Sequence, residues 1–137
     1  MRYAGMIKND IAAGEGVNVT FFTQGCPFHC EGCHNPQTWD FLGGQEFTAE
    51  TISKVIAAIG EDGVERNLSI MGGEPLCPEN LFMTALLISN VKDVYPNIKV
   101  YVWTGYVYEE LLQRSEQKLQ WILDNIDYLI DGPFVIS

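Results

Sequence analysis

The stretch Val17-Asn-Val-Thr-Phe-Phe-Thr-Gln-Gly-Cys26-Pro-Phe-His-Cys30-Glu-Gly-Cys33-His-Asn35 decides how the chain is read. Its first seven residues, through Thr23, are mostly β-branched or aromatic, the composition of a strand. The strand runs straight into a loop rich in Gly, Pro and Asn that carries three cysteines at C-x3-C-x2-C spacing. Three thiolates this close can bind one metal centre but leave it one ligand short. A [4Fe–4S] cluster makes best use of such a set, because its fourth iron stays open to a small molecule. Zinc is the competing reading, with Cys26, Cys30, Cys33 and His34 as a Cys3His set. Two features weigh against it. His34 directly follows Cys33, so both could face one metal only through a backbone contortion, and no second, separated ligand pair is present.

Downstream of the loop the pattern alternates helix and strand. Thr48 reads as a helix N-cap with Glu50 in the first turn, and Phe47 and Ile52 have the spacing of a hydrophobic staple. Ile52, Val55, Ile56 and Ile59 recur on one helix face, and Gly60 stops the helix. Asn67 to Met71 reads as a second strand, ending at Gly72-Gly73-Glu74-Pro75. A second helix begins at Pro78, a favoured first helical position, with Leu81, Phe82, Ala85 and Ile88 along its face. Ile98 to Trp103 is a third strand, followed by Thr104-Gly105-Tyr106. A third helix is expected from about Tyr108 to Leu123, with Leu112, Leu119 and Ile122 inward. Ile126 to Ile130 is a fourth strand, ending in Asp131-Gly132-Pro133-Phe134. Repeated strand–helix units imply a parallel sheet with right-handed crossovers. Glycine-rich stretches follow all four strands, the position where α/β folds place ligands, so they are expected to converge on one edge.

Composition bounds the alternatives. At 137 residues with 47% hydrophobic residues, the chain is expected to form one domain with a real core. No run approaches the roughly 18 apolar residues of a membrane span, and the N-terminus lacks a signal-peptide pattern, so a cytoplasmic location is expected. A net charge of −10 argues against a broad nucleic-acid surface. In that compartment four cysteines are not a disulfide framework. Cys77 stands apart from the other three at a helix start, where the dipole could lower a thiol pKa, but it reads as a bystander. Gly72 and Gly73 would let backbone approach a ligand closely, and Glu74 offers a negative charge suited to an ammonium group. Together these match an amino acid moiety whose amine and carboxylate chelate the open iron.

The cysteine loop after the first strand, with Gly-Gly-Glu-Pro after the second, resembles the radical S-adenosylmethionine superfamily. Within it the sequence is most similar to the activating proteins of anaerobic ribonucleoside-triphosphate reductase. The narrower likeness rests on Gly25 to Asn35, with Gly32 where most of the superfamily has an aromatic residue. It rests also on Thr38-Trp39, on Tyr101-Val-Trp-Thr-Gly-Tyr106 and on Leu129-Ile-Asp-Gly-Pro-Phe134. The resemblance implies an α/β fold, a partial, open (β/α) barrel with about four or five parallel strands, matching the strand–helix count. It implies that Cys26, Cys30 and Cys33 hold the cluster and are the catalytic set. It implies that S-adenosylmethionine contacts Gly32, Cys33, His34, Gly72, Gly73, Glu74 and Asp131, the last as a ribose contact. A C–S bond would be cleaved reductively, and the resulting 5′-deoxyadenosyl radical would take hydrogen from a backbone glycine of the partner reductase. A low-potential donor such as flavodoxin would supply the electron. The activating enzyme of pyruvate formate-lyase, or of another glycyl radical enzyme, is the alternative, and a non-catalytic zinc-binding module a further one.

Tyr106, Trp103 and Trp39 read as packing residues, with stacking on adenine or contact with the partner as the other reading. His29 reads as solvent-facing. The sequence departs from the family at Asn18, where an Arg is frequent. It also ends at Ser137, without the family's short Arg-Gly-Ser-Ser-Asn-Gln-like tail, so the expected unit is a single domain over residues 1–137 lacking that tail.

Overall fold

The computed structural model describes residues 2–11, 16–28 and 40–132. They form an open, mixed sheet of six strands with helices packed on it. The strands are β1 (Arg2–Asp10), β2 (Asn18–Thr23), β3 (Gln45–Glu46), β4 (Asn67–Gly72), β5 (Val100–Trp103) and β6 (Tyr128–Ile130). Their spatial order is β3-β1-β2-β4-β5-β6. β2 pairs with β4, β4 with β5 and β5 with β6, all parallel, as the strand–helix alternation implies. The helices α1 (Ala49–Ile59), α2 (Pro78–Val94), α3 (Tyr108–Gln113) and α4 (Gln117–Asn125) fill the connections.

The N-terminal segment adds an edge to the sheet that none of the sequence motifs marks. It forms β1, antiparallel to β2, and β3 extends that edge. The segment has no clean apolar alternation of its own. Tyr3 enters the core by stacking on Phe21 at 5.2 Å between ring centroids, with Phe47 edge-on to Phe21 at 6.0 Å. That stabilisation comes from residues distant in sequence, so periodicity within residues 2–10 could not reveal it.

Along the central strands, alternate residues serve different roles. Val19, Phe21, Leu68, Ile70, Val100 and Val102 are fully buried in the hydrophobic core. The alternating positions Asn18, Thr20 and Ser69 are also buried but polar. Ser69 Oγ donates to Asn18 Oδ1 at 3.1 Å and Thr20 Oγ1 to Asp10 Oδ2 at 2.7 Å, which offsets their desolvation.

Thr48 caps α1 as read, its backbone N–H donating to Thr51 Oγ1 at 3.0 Å. Two helical readings need correction. In α2, Leu81, Met83, Thr84, Leu87, Ile88 and Val91 are buried, whereas Phe82 is 49% exposed. The long third helix is two helices, broken at 114–116, and the inward residue of α3 is Leu111, with Leu112 exposed. At the break the Arg114 guanidinium donates to Leu76 O at 2.8 Å and binds both Glu116 oxygens at 2.7 Å. These contacts with Leu76 and Glu116 accompany the turn between the helices.

Arg66, buried just before β4, closes the end of α1. Its Nη1 lies within hydrogen-bonding distance of the carbonyl oxygens of Ala58, Ile59, Glu61 and Val64, and its Nε donates to Asn9 Oδ1 at 2.6 Å. A cation here satisfies helix-end carbonyls and complements the dipole. Arg66→Ala should lower unfolding free energy by about 3 kcal/mol, the scale for losing charge-assisted bonds and orphaning their acceptors. Urea denaturation followed by circular dichroism measures this. A loss within error of zero would show that water replaces the guanidinium freely.

Candidate active site at the strand ends

The four strand exits converge as expected, and the structure shows what joins them. β2 leads to Thr23–Phe28, β4 to Gly73–Leu76, β5 to Thr104–Tyr106 and β6 to Asp131–Gly132. The first two are laced backbone to backbone. Gly73 N donates to Thr23 O at 3.0 Å and Glu74 N to Gly25 O at 2.7 Å. The two glycines permit this approach. Gly72 has φ +112°, and a Cβ there would lie 2.7 Å from Thr23 N and O; at Gly73 it would lie 2.3 Å from Gly25 O. Their missing side chains therefore admit the exit of β2, the strand that carries the cysteine loop.

Glu74 ties the second exit to the third. It is 1% exposed. Its Oε2 accepts from Thr104 Oγ1 at 2.6 Å and Leu76 N at 2.9 Å, and its Oε1 accepts from Gly105 N at 2.6 Å. Burial raises its pKa, opposed by the hydrogen bonds from Thr104, Gly105 and Leu76. The Thr104 hydroxyl in turn accepts from Tyr106 N at 3.2 Å. The carboxylate thus holds the end of β5, a role the motif alone did not suggest.

The third and fourth exits join through Thr104 N to Ile130 O and Gly132 N to Tyr106 O, both at 2.9 Å. Asp131 is exposed and its Oδ2 accepts from Tyr108 N at 2.7 Å, meeting the first turn of α3. Phe28, within the cysteine loop, packs edge-on against Tyr106 at 4.8 Å, and Arg114 lies over the Tyr106 ring at 5.1 Å. A Cβ on Gly105 would strike the Phe28 ring at 2.8 Å, so glycine makes room for it. Tyr106 is accordingly a packing residue that anchors the cysteine loop.

Cys26 is buried, 9% exposed. Gly25, immediately before it, has φ +101°, and a Cβ there would overlap the Phe41 ring. The returning end of the loop is fastened too. Gln24 Nε2 donates to Asp40 O at 2.7 Å, and Arg2 donates to Gly43 O at 2.7 Å and Gly44 O at 2.8 Å. Cys30, Gly32, Cys33 and His34, with His29 and Trp39, lie outside the described residues. Cys77 occupies the N-cap position of α2 without a side-chain cap bond, and its Sγ donates to Glu74 O at 3.2 Å. Burial pushes its thiol up to about 12, which outweighs any help from the helix dipole.

This arrangement suits a thiolate-bound cluster: a buried soft donor on a loop held at both ends, with two more thiols within the next seven residues. Residues 12–137 match the family model of the 4Fe–4S single cluster domain. The chain is 35% identical over 136 residues to the anaerobic ribonucleoside-triphosphate reductase-activating protein of Vibrio cholerae, covering 98% of this chain and 85% of that protein. The protein of the same name from Escherichia coli K12 is 34% identical, with 98% and 86% covered. That from Enterobacteria phage T4 is 33% identical, with 98% and 81% covered. The chain belongs to this family of activating proteins.

In this member of the family Gly73, Glu74, Gly105 and Phe28 bind the strand exits into one frame. Sequence reading missed Phe28, Gln24 and Asn80. Phe28 and Gln24 sit in the motif but bear no ligand chemistry, and Asn80 reads as an ordinary first-turn helix residue.

Proposed function

We propose that Cys26, Cys30 and Cys33 ligate a [4Fe–4S] cluster at the exit of β2, and that Gly72, Gly73 and Glu74 form the wall that receives the methionine part of S-adenosylmethionine. Gly32, Cys33 and His34 lie toward its nucleoside in this reading, with Asp131 near the ribose. The observation that carries it is the 2.7 Å bond from Glu74 N to Gly25 O, which sets the Gly-Gly-Glu turn directly against the residue preceding Cys26. When bound, the cluster supplies one electron and S-adenosylmethionine the C–S bond it cleaves. The protein's own part is positioning. Glu74 fixes the end of β5, Phe28 and Tyr106 hold the loop, and the glycines keep the strand exits in register. The product of the activity is a glycyl radical on anaerobic ribonucleoside-triphosphate reductase, the enzyme for which the relatives are named.

The open sheet, with β3 and β6 at its edges, supports a partial (β/α) barrel in a single domain over residues 1–137; an incomplete barrel would let a glycine-bearing segment of the partner reach the strand ends. No helix among the described residues is long and apolar enough to cross a membrane. Reduced thiols and an oxygen-sensitive cluster suit the cytoplasm, where a donor such as flavodoxin would supply electrons.

The deciding experiment mixes the anaerobically reconstituted, reduced protein with S-adenosylmethionine and the reductase and records electron paramagnetic resonance. A glycyl radical doublet on the reductase is expected, from a brown protein holding about four irons per chain. A colourless protein with one zinc per chain would refute the reading. A doublet on pyruvate formate-lyase instead would reassign the partner.

A further inference from the structure

Asn80 lies in the first turn of α2, 2% exposed, and nothing in the cysteine or glycine motifs includes it. Its Nδ2 donates to Gln24 O at 3.0 Å, Gly25 O at 3.3 Å and Glu74 O at 3.0 Å. Two of these carbonyls stand immediately ahead of Cys26 and the third belongs to the Gly72–Glu74 turn. One nitrogen therefore spans both loops. It also hangs them on a helix anchored in the core through Leu81, Met83, Leu87, Ile88 and Val91.

We infer that Asn80 is a positioning residue for the activation reaction: its carboxamide sets the spacing between the cluster-bearing loop and the turn that receives S-adenosylmethionine. This rests on the function proposed above. The chemistry of the position is narrow. A carboxamide nitrogen offers two hydrogens to carbonyls that water cannot reach, whereas a carboxylate would set oxygen against oxygen. The loops keep other links when the amide is removed. Gly25 O still accepts from Glu74 N at 2.7 Å, and Gly73 N still donates to Thr23 O at 3.0 Å. Loss of Asn80 thus leaves the two loops joined but lets their separation relax. Chelation across them depends on that separation, as metal sites depend on the groups that orient their ligands.

The test uses the full chain, reconstituted anaerobically, as wild type, Asn80→Ala and the milder Asn80→Ser, which retains one donor. Iron and sulfide content, thermal unfolding and the paramagnetic resonance of the reduced cluster during titration with S-adenosylmethionine are measured. The variants should load about four irons per chain. Asn80→Ala should bind S-adenosylmethionine about tenfold more weakly, with a smaller spectral change at saturation, and Asn80→Ser should fall between it and wild type. A cluster-loaded Asn80→Ala that titrates like wild type overturns the inference. So does failure of both variants to load a cluster, which would make Asn80 a folding residue. A wild-type cluster indifferent to S-adenosylmethionine would instead sink the proposed function and this inference with it.

Discussion

Alanine at Cys26, Cys30 or Cys33 will each abolish cluster binding and with it glycyl radical formation. In the proposed ligand set each thiolate holds one iron, and the fourth iron is reserved for the small molecule, so no spare ligand exists. Iron content should fall from about four per chain toward none, and the radical signal should drop by at least about a thousandfold, the scale of removing the cofactor that carries the chemistry. Cys77→Ala is the matched control. Its sulfur donates to Glu74 O inside the protein, and burial raises its pKa to about 12, which disfavours the thiolate form. That variant should stay brown, with a stability loss of about 1 kcal/mol for the vacated volume. Iron measured in all four variants checks both halves. Loss of the cluster in Cys77→Ala, or its retention in any of the other three, would break the ligand assignment.

Gly73→Ala is expected to be strongly damaging although it adds a single methyl. The new Cβ would sit 2.3 Å from Gly25 O, 2.8 Å from its carbonyl carbon and 2.9 Å from its nitrogen. All three neighbours are backbone, so no side chain can rotate away. The strands must separate, breaking the bonds from Gly73 N to Thr23 O and from Glu74 N to Gly25 O. Overpacking plus two buried bonds amounts to about 3 kcal/mol, or roughly 10 °C in Tm for a domain of this size. The displacement falls on the residue before Cys26, so radical formation should fall further than the folded fraction does. Gly5→Ala supplies the contrast: nothing lies within 4 Å of a Cβ there, and its change should stay within about 0.5 kcal/mol. Thermal unfolding of the two variants side by side decides the point. Equal melting temperatures would mean that the two strand exits move apart at no cost.

Much of the architecture was legible because the parallel strands and their helices carry local signals. The run from Asn18 to Thr23 is β-branched and aromatic, Pro78 marks the start of α2, and Thr48 marks that of α1. The misreadings have physical causes. β1 draws its stability from Tyr3 against Phe21, a contact across strands that no local period contains. The two-helix break at 114–116 accompanies Arg114 reaching Leu76, more than thirty residues upstream. Phe82 reads as core by its type, yet it is half exposed. Periodicity alone cannot say which of two adjacent apolar residues turns inward.

For the site, the division is similar. The cysteine spacing and the Gly-Gly-Glu-Pro turn are chemical statements made by residues close together in the chain, so the family can be read from them directly. What their neighbours do emerges once the strands are assembled. Glu74 spends its carboxylate on Thr104, Gly105 and Leu76, Gly73 is bare because Gly25 passes against it, and Asn80 binds both loops at once. Distance along the chain separates the two. A thiolate announces its chemistry by its type, but a hydrogen bond between residues fifty positions apart exists only once the sheet has brought the strand ends together.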